Sequence, residues 1–153
     1  MKVTCEGLDL SVATAQVTKA ISSKTTNPVL EGIKLTAEND TLKLSATDLE
    51  LVIEKTIKAE VKVEGEAVVP GKFFSEFVRK LTNDKIELEL NDKNQLKINY
   101  TDSESVVQCY NVAEFPNLEL QGEKEHFVLS KKDFKSLVTK SIFSTALDDT
   151  RPI

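Results

Sequence analysis

Among its 153 residues the chain has one histidine, His126, and two cysteines, Cys5 and Cys109. That scarcity removes most catalytic and metal chemistry. No second histidine or cysteine sits at ligand spacing, so no metal site is expected. Each cysteine lies far from the other inside an alternating apolar stretch, the setting of reduced, partly buried thiols rather than a disulfide. No nucleophile–base pair, metal cluster or glycine-rich phosphate loop can be assembled from the sequence, and neither an enzyme nor a cofactor is expected. Asp48 with Glu50, and Asp148 with Asp149, could be imagined as metal ligands. They read better as a strand–turn feature and a helix end, and His126 as an ordinary surface or strand residue.

Long apolar runs are missing too. Nothing approaches the roughly 20 residues a membrane-spanning helix needs, and the start, MKVTCEGLDL, lacks the apolar segment of a signal peptide. The expectation is a soluble, cytoplasmic protein with no membrane partner. A balance of 20 Lys plus Arg against 25 Asp plus Glu, formally -5, argues against a nucleic-acid binder that works by net charge. The sharpest local absence is of acids between Leu10 and Lys24, LSVATAQVTKAISSK, which holds two lysines and no carboxylate.

On a helical wheel Leu10, Ala13, Val17, Ala20 and Ile21 share one face of this stretch, and Ser11, Ala15, Thr18, Lys19 and Ser22 the other. It is predicted as an amphipathic helix with Asp9 as its cap, following a strand over Met1 to Gly7. Thr25-Thr26-Asn27-Pro28 ends it. Three period-2 strands come next, Val29 to Glu38, Thr41 to Thr47 and Leu49 to Ala59, with Asn39-Asp40 as a hairpin turn. The pattern then restarts. A strand over Val61 to Val69 and a helix from Pro70-Gly71 to about Leu81, with Phe73, Phe74, Phe77, Val78 and Leu81 inward, precede strands over Lys85 to Leu90, Gln95 to Tyr100 and Glu104 to Asn111.

The fold class is therefore α+β, built of repeated βαβββ units over residues 1 to about 60 and 61 to about 111, each an antiparallel sheet under one helix. Val112 to Glu125 reads as an interdomain connection. A third unit begins with a strand start at His126 to Leu129, a cap at Ser130, and a helix from Lys131 to about Ser144 with Phe134, Leu137, Val138 and Ile142 inward. The expected domains are 1–122 and a truncated 123–153, which suggests part of a longer protein.

The windows 10–24, 70–83 and 130–147 together hold nine basic and two acidic residues, and the remainder eleven basic and twenty-three acidic. Lys19 on the first helix, Lys72 and Arg79 on the second, and Lys132 with Lys135 and Lys140 on the third fall on or beside the faces opposite the apolar ones. If all helices lie on one side, that side attracts a polyanion through weak backbone contacts. No aromatic side chain is placed there for base stacking, and no bidentate base readout is provided for. The competing reading is a non-enzymatic protein–protein interaction scaffold without DNA binding.

The runs MKVTCEG, NPVLEGIKLTAENDTLKLSATDLEL, VVPGKFFSEFVRKL, AEFPNLEL and FVLSKKDFKSLVTKSIFSTALDDTRPI make the chain similar to the bacterial DNA sliding clamp family, the β subunit of DNA polymerase III. The resemblance implies the DNA clamp fold in a ring of two subunits joined head to tail, with sheets outside and helices lining a hole for duplex DNA. Such a ring tethers the polymerase and has no catalysis of its own. It implies lumen contacts at Lys24, Lys72, Arg79 and Lys80. It also implies a subunit interface on an edge strand near Ser105 to Tyr110, where Val106, Val107 and Tyr110 supply apolar area. The pocket for peptide motifs of the polymerase and clamp loader is expected between later domains, outside this chain.

Overall fold

The computed structural model describes residues 1–21, 25–82, 85–101, 103–118 and 128–145. The chain divides into two compact units, Met1–Leu118 and Glu119–Ile153.

In the first unit β1 (Lys2–Glu6) runs directly into α1 (Gly7–Val17), which ends in a 3₁₀ turn, Thr18–Ala20. The cap of α1 is Glu6, whose side chain makes no capping hydrogen bond. Asp9, the expected cap, instead lies in the first turn, where its charge faces the positive end of the helix dipole. A short 3₁₀ segment, Pro28–Glu31, leads into β2 (Gly32–Glu38), β3 (Thr41–Thr47) and β4 (Val52–Lys58). Its start is held by the Asn27 side chain, which accepts from the Val29 N–H. Asn39 and Asp40 join β2 to β3 with φ of 48° and 53°, the left-handed pair that a tight two-residue hairpin requires.

The expected strand over Val61 to Val69 is two strands, β5 (Glu60–Val63) and β6 (Gly65–Pro70). The break falls at Glu64, and β6 restarts at Gly65, whose φ of 153° only glycine adopts comfortably. α2 (Gly71–Val78), β7 (Lys85–Leu90), β8 (Gln95–Tyr100) and β9 (Ser103–Gln108) complete the unit.

The strand order corrects the picture of two self-contained repeats. One sheet runs β5-β1-β7-β8-β9 and the other β4-β3-β2-β6. The first strand of each repeat therefore pairs with the other repeat's three-strand meander, β1 with β7 and β6 with β2, both antiparallel. α1 packs on β3 and β4, α2 against β2 and β6, and the two helices against each other. A single core cluster draws on both helices and both sheets. Its largest fully buried side chains include Phe74, Leu10, Ile33, Leu44, Leu88 and Ile98.

Two apolar expectations fail at the margins. Phe73 is half exposed and stacks on Phe77, ring centroids 6.0 Å apart. Leu51, within the strand expected over Leu49 to Ala59 and sharing a face with Ile53, lies just before β4 and is exposed. Val112–Leu118 is not a free connection. After a 3₁₀ turn at Val112–Glu114, Phe115 is buried in a second small core with Val29, Leu30 and Val68, joined by Tyr110, Val112 and Leu118.

In the second unit residues 128–130 carry no regular structure, so the expected strand is absent there, and His126 falls outside the described residues. α3 (Lys131–Ser141) is capped by Ser130, whose hydroxyl accepts from the Asp133 N–H at 3.1 Å. Phe134, Leu137, Val138 and Ile142, read as inward, are exposed.

Candidate nucleic-acid interface

The first helix presents a different face from the one the wheel predicts. Ser11 is buried with Thr14, and Thr18 is half-buried, because α1 packs against α2 as well as against a sheet. The exposed residues are Leu8, Asp9, Val12, Ala15, Gln16 and Lys19. Lys19 stands in the 3₁₀ turn after the helix; Ser22 and Lys24 lie outside the described residues.

On the second helix Lys72 is exposed in the first turn, while Arg79 at the C-cap and Lys80 beyond it are exposed at the other end. Gly71 brings Lys72 to its place. Its backbone sits where a β-carbon would be 2.9 Å from the Glu31 carbonyl oxygen, so α2 starts hard against the chain before β2. In the second unit Lys132 and Lys135 are exposed on α3, lining one shallow depression with Ser136, Thr139 and Lys140.

Ion pairing distinguishes these cations from five of the strand lysines, though among the described residues Lys43, Lys55 and Lys58 on β3 and β4 are unpaired as well. Among the described residues every ion pair joins strand to strand: Lys2 to Glu87 and Glu89, Lys34 to Glu66, Lys62 to Glu87, Lys85 to Glu6 and Lys97 to Glu104. Lys19, Lys72, Arg79, Lys80, Lys132 and Lys135 have no described carboxylate within ion-pair distance. The charge of the sheets is partly cancelled in place, and the cations on the helices are left for something else.

The densest sheet cluster lies around Glu87. Partial burial pushes its carboxyl upward, but hydrogen bonds from Lys2, Asn99 and Lys62 outweigh this and hold it below the usual range. Lys2 is raised in turn by its bonds to Glu89 and Glu87. Neither cysteine is poised for chemistry. Both are free and buried, and burial, followed by the nearby Asp9 and Glu6, pushes the Cys5 thiol up to about 12. Asp48 is occupied with backbone, its Oδ1 accepting from Glu50 N–H at 3.1 Å and Leu51 N–H at 2.7 Å. Among the described residues no cluster of three His, Cys, Asp or Glu side chains could hold a metal. Asp148 and Asp149 fall outside them.

The suggested edge is β9, the last strand of the five-stranded sheet. Ser105 is half-buried and Val106 half exposed, whereas Val107 points into the core and is only 6% exposed. Tyr110 is beyond the strand, part-buried in the small second core, and its N–H donates to the Val68 carbonyl at 2.8 Å. Of the apolar residues named for this edge, Val106 offers the most surface.

Residues 1–119 match the family model described as DNA polymerase III beta subunit, N-terminal domain. The chain belongs to this family. It is 32% identical over 145 residues to the beta sliding clamp of Halalkalibacterium halodurans, covering 90% of this chain and 38% of that protein. With the beta sliding clamp of Bacillus subtilis it shares 31% identity over 162 residues, which is 100% of this chain and 43% of the relative. The solved pol III beta of Caulobacter crescentus superposes with a TM-score of 0.92 at 28% identity, over 99% of this chain and 42% of that one. The sliding clamp of Bacillus subtilis gives 0.91 at 29%, with 99% and 42% covered. The fold is thus the α+β clamp fold, and the chain spans about two fifths of the length of these relatives.

Proposed function

We propose that this chain is the N-terminal part of a DNA sliding clamp, a non-catalytic ring that encircles duplex DNA and tethers the replicative polymerase. The observation that carries this reading is that none of the described helix cations is ion-paired, while five strand lysines, Lys2, Lys34, Lys62, Lys85 and Lys97, are held by strand carboxylates. Among the described residues Lys43, Lys55 and Lys58 on β3 and β4 are the unpaired strand lysines. Phosphates attract such cations without regard to base sequence. The small number of them, set among Ser, Thr, Ala and Gln, favours contacts that form and break as the DNA slides. Lys19, Lys24, Lys72, Arg79, Lys80, Lys132 and Lys135 are the proposed lumen contacts. The open edge of β9, which carries Ser105 and has Val106 as its most exposed apolar residue, is the proposed meeting point with a second subunit, head to tail, and Val107 and Tyr110 support that edge from within. Polymerase and clamp loader are the partners of the complete ring, in the cytoplasm.

The test is retention on DNA. The full-length polypeptide, loaded onto a nicked circle, should stay bound and should be lost when the circle is cut, since a ring holds by topology. Equal retention on circular and linear duplex would overturn the reading.

A further inference from the structure

Asn94 closes the turn between β7 and β8 with a φ of 56°, yet four hydrogen bonds tie it to the far end of β9. Its backbone carbonyl accepts from the Cys109 N–H at 3.0 Å and from the Gln108 Nε2 at 3.0 Å. Its side-chain Nδ2 donates to the carbonyls of Cys109 at 3.1 Å and Tyr110 at 3.2 Å. One side chain thus grips two successive carbonyls at the point where the edge strand leaves its sheet.

The point matters because backbone groups along a strand alternate in direction. The Cys109 N–H bonds back toward β8 through Asn94, so 105 and 107 point the same way, and the groups of 104, 106 and 108 point out of the sheet. Tyr110 belongs to this outward series, but its N–H is already taken by Val68 of β6, and the two residues form an isolated antiparallel bridge. The seat beneath is tight. A β-carbon on Gly32 would lie 3.2 Å from the Tyr110 ring and collide with the Val68 side chain. The outward series therefore ends at Gln108, and among the described residues of β9 the open edge is made of the backbone groups of Glu104, Val106 and Gln108.

We infer that Asn94 is a positioning residue for the subunit contact: by holding the carbonyls of residues 109 and 110 it directs Tyr110 onto the other sheet and sets the length and register of the edge a second subunit's strand pairs with. This rests on the reading of β9 as the subunit interface. An edge whose end is free to fray offers several registers, and pairing that must select one of them is weakened.

The two roles of Asn94 separate cleanly. Asn94→Gly keeps the left-handed backbone and the carbonyl contacts and removes only the side-chain grip. Asn94→Asp keeps size and turn preference but sets a carboxylate against two carbonyls. In the full-length polypeptide, hydrogen exchange at the Cys109 and Tyr110 amides should quicken by about tenfold in Asn94→Gly and more in Asn94→Asp. The subunit dissociation constant should rise by a similar factor. Two controls accompany these variants: Val106→Asp, on the edge itself, and Ile33→Val, a core change in the other sheet that lowers stability without touching the edge. Weakened association in Val106→Asp with unchanged exchange and association in both Asn94 variants overturns the role of Asn94 and leaves the interface standing. Unchanged association in Val106→Asp overturns the interface, and the inference falls with it. Equal weakening by Ile33→Val reduces Asn94 to a stability effect and overturns it as well.

Discussion

Gly71 and Glu31 approach so closely that a β-carbon on the glycine would stand 2.9 Å from the glutamate's carbonyl oxygen, and the same carbon would collide with the end of Ile21. The glycine is the first residue of α2, and its smallness lets that helix seat against the segment before β2. Gly71→Ala should destabilise the protein by about 1–3 kcal/mol, the range of overpacked sites, read as a shift in the urea midpoint. A helix interior normally gains from this substitution; an unchanged or higher midpoint would show that α2 has room the geometry denies.

Thr14 should respond in the opposite direction. It is fully buried in α1, and its hydroxyl has no hydrogen-bond partner among the described residues. Thr14→Val keeps the shape and removes a stranded polar atom, so unfolding should become harder by about 1 kcal/mol. A clear loss of stability would mean that the hydroxyl is satisfied, for example by an internal water.

Cys5 gives a prediction in pH. Its thiol ionises near 9.0 ordinarily and at about 12 in the fold, so between those values the unfolded chain releases a proton that the folded chain keeps. Stability must then fall as pH rises through that window. The difference in unfolding free energy between the protein and Cys5→Ala should accordingly shift in favour of the variant between neutral pH and about pH 10. At neutral pH the thiol should resist alkylation until denaturant is added. Rapid labelling of the folded protein would contradict its burial.

The charge pattern predicts how DNA binding depends on salt. This chain should bind duplex weakly at about 50 mM salt and not measurably at about 200 mM, with no sequence preference. Lys72→Ala or Lys80→Ala should each lower the log–log salt slope by about 1 if the lysine meets a phosphate. Lys34→Ala should leave it alone, because that ammonium is 2.8 Å from Glu66 on the sheet. Tight, sequence-selective binding would be incompatible with the proposed function.

Features fixed by a residue and its neighbours were legible in the sequence. Asn39-Asp40 turns where left-handed backbone is needed, Ser130 caps α3, and the alternation of Ile33, Leu35 and Ala37 marks a buried face. What failed depends on distant surroundings. Ser11 and Thr14 are buried because a second helix lies against α1, which no wheel of α1 alone reveals. Gly65 stands inside the stretch VKVEGEAVV, where an isolated glycine in a strand pattern is itself a sign of a break. Phe115 fills a second small core from a segment without period. The basic helix residues were visible one by one, but that they lack partners depends on the strand carboxylates, which only the sheet registers locate. Asn94 lay in plain view within NDKN as a turn residue, and nothing local announces that its amide reaches residues fifteen and sixteen positions on.

The exchange of first strands between the two halves also sets the order of events during synthesis. β1 leaves the ribosome first, but its neighbours are β5, from Glu60, and β7, from Lys85. Until those residues emerge it has nothing to pair with, and α1 lacks the second helix that buries its flank. Each half completes the other's sheet, so neither can be a stable intermediate by itself, and folding waits for contacts of long sequence separation. The nascent segment up to about residue 60 thus keeps the apolar face of α1 and β1 unburied until the second half emerges.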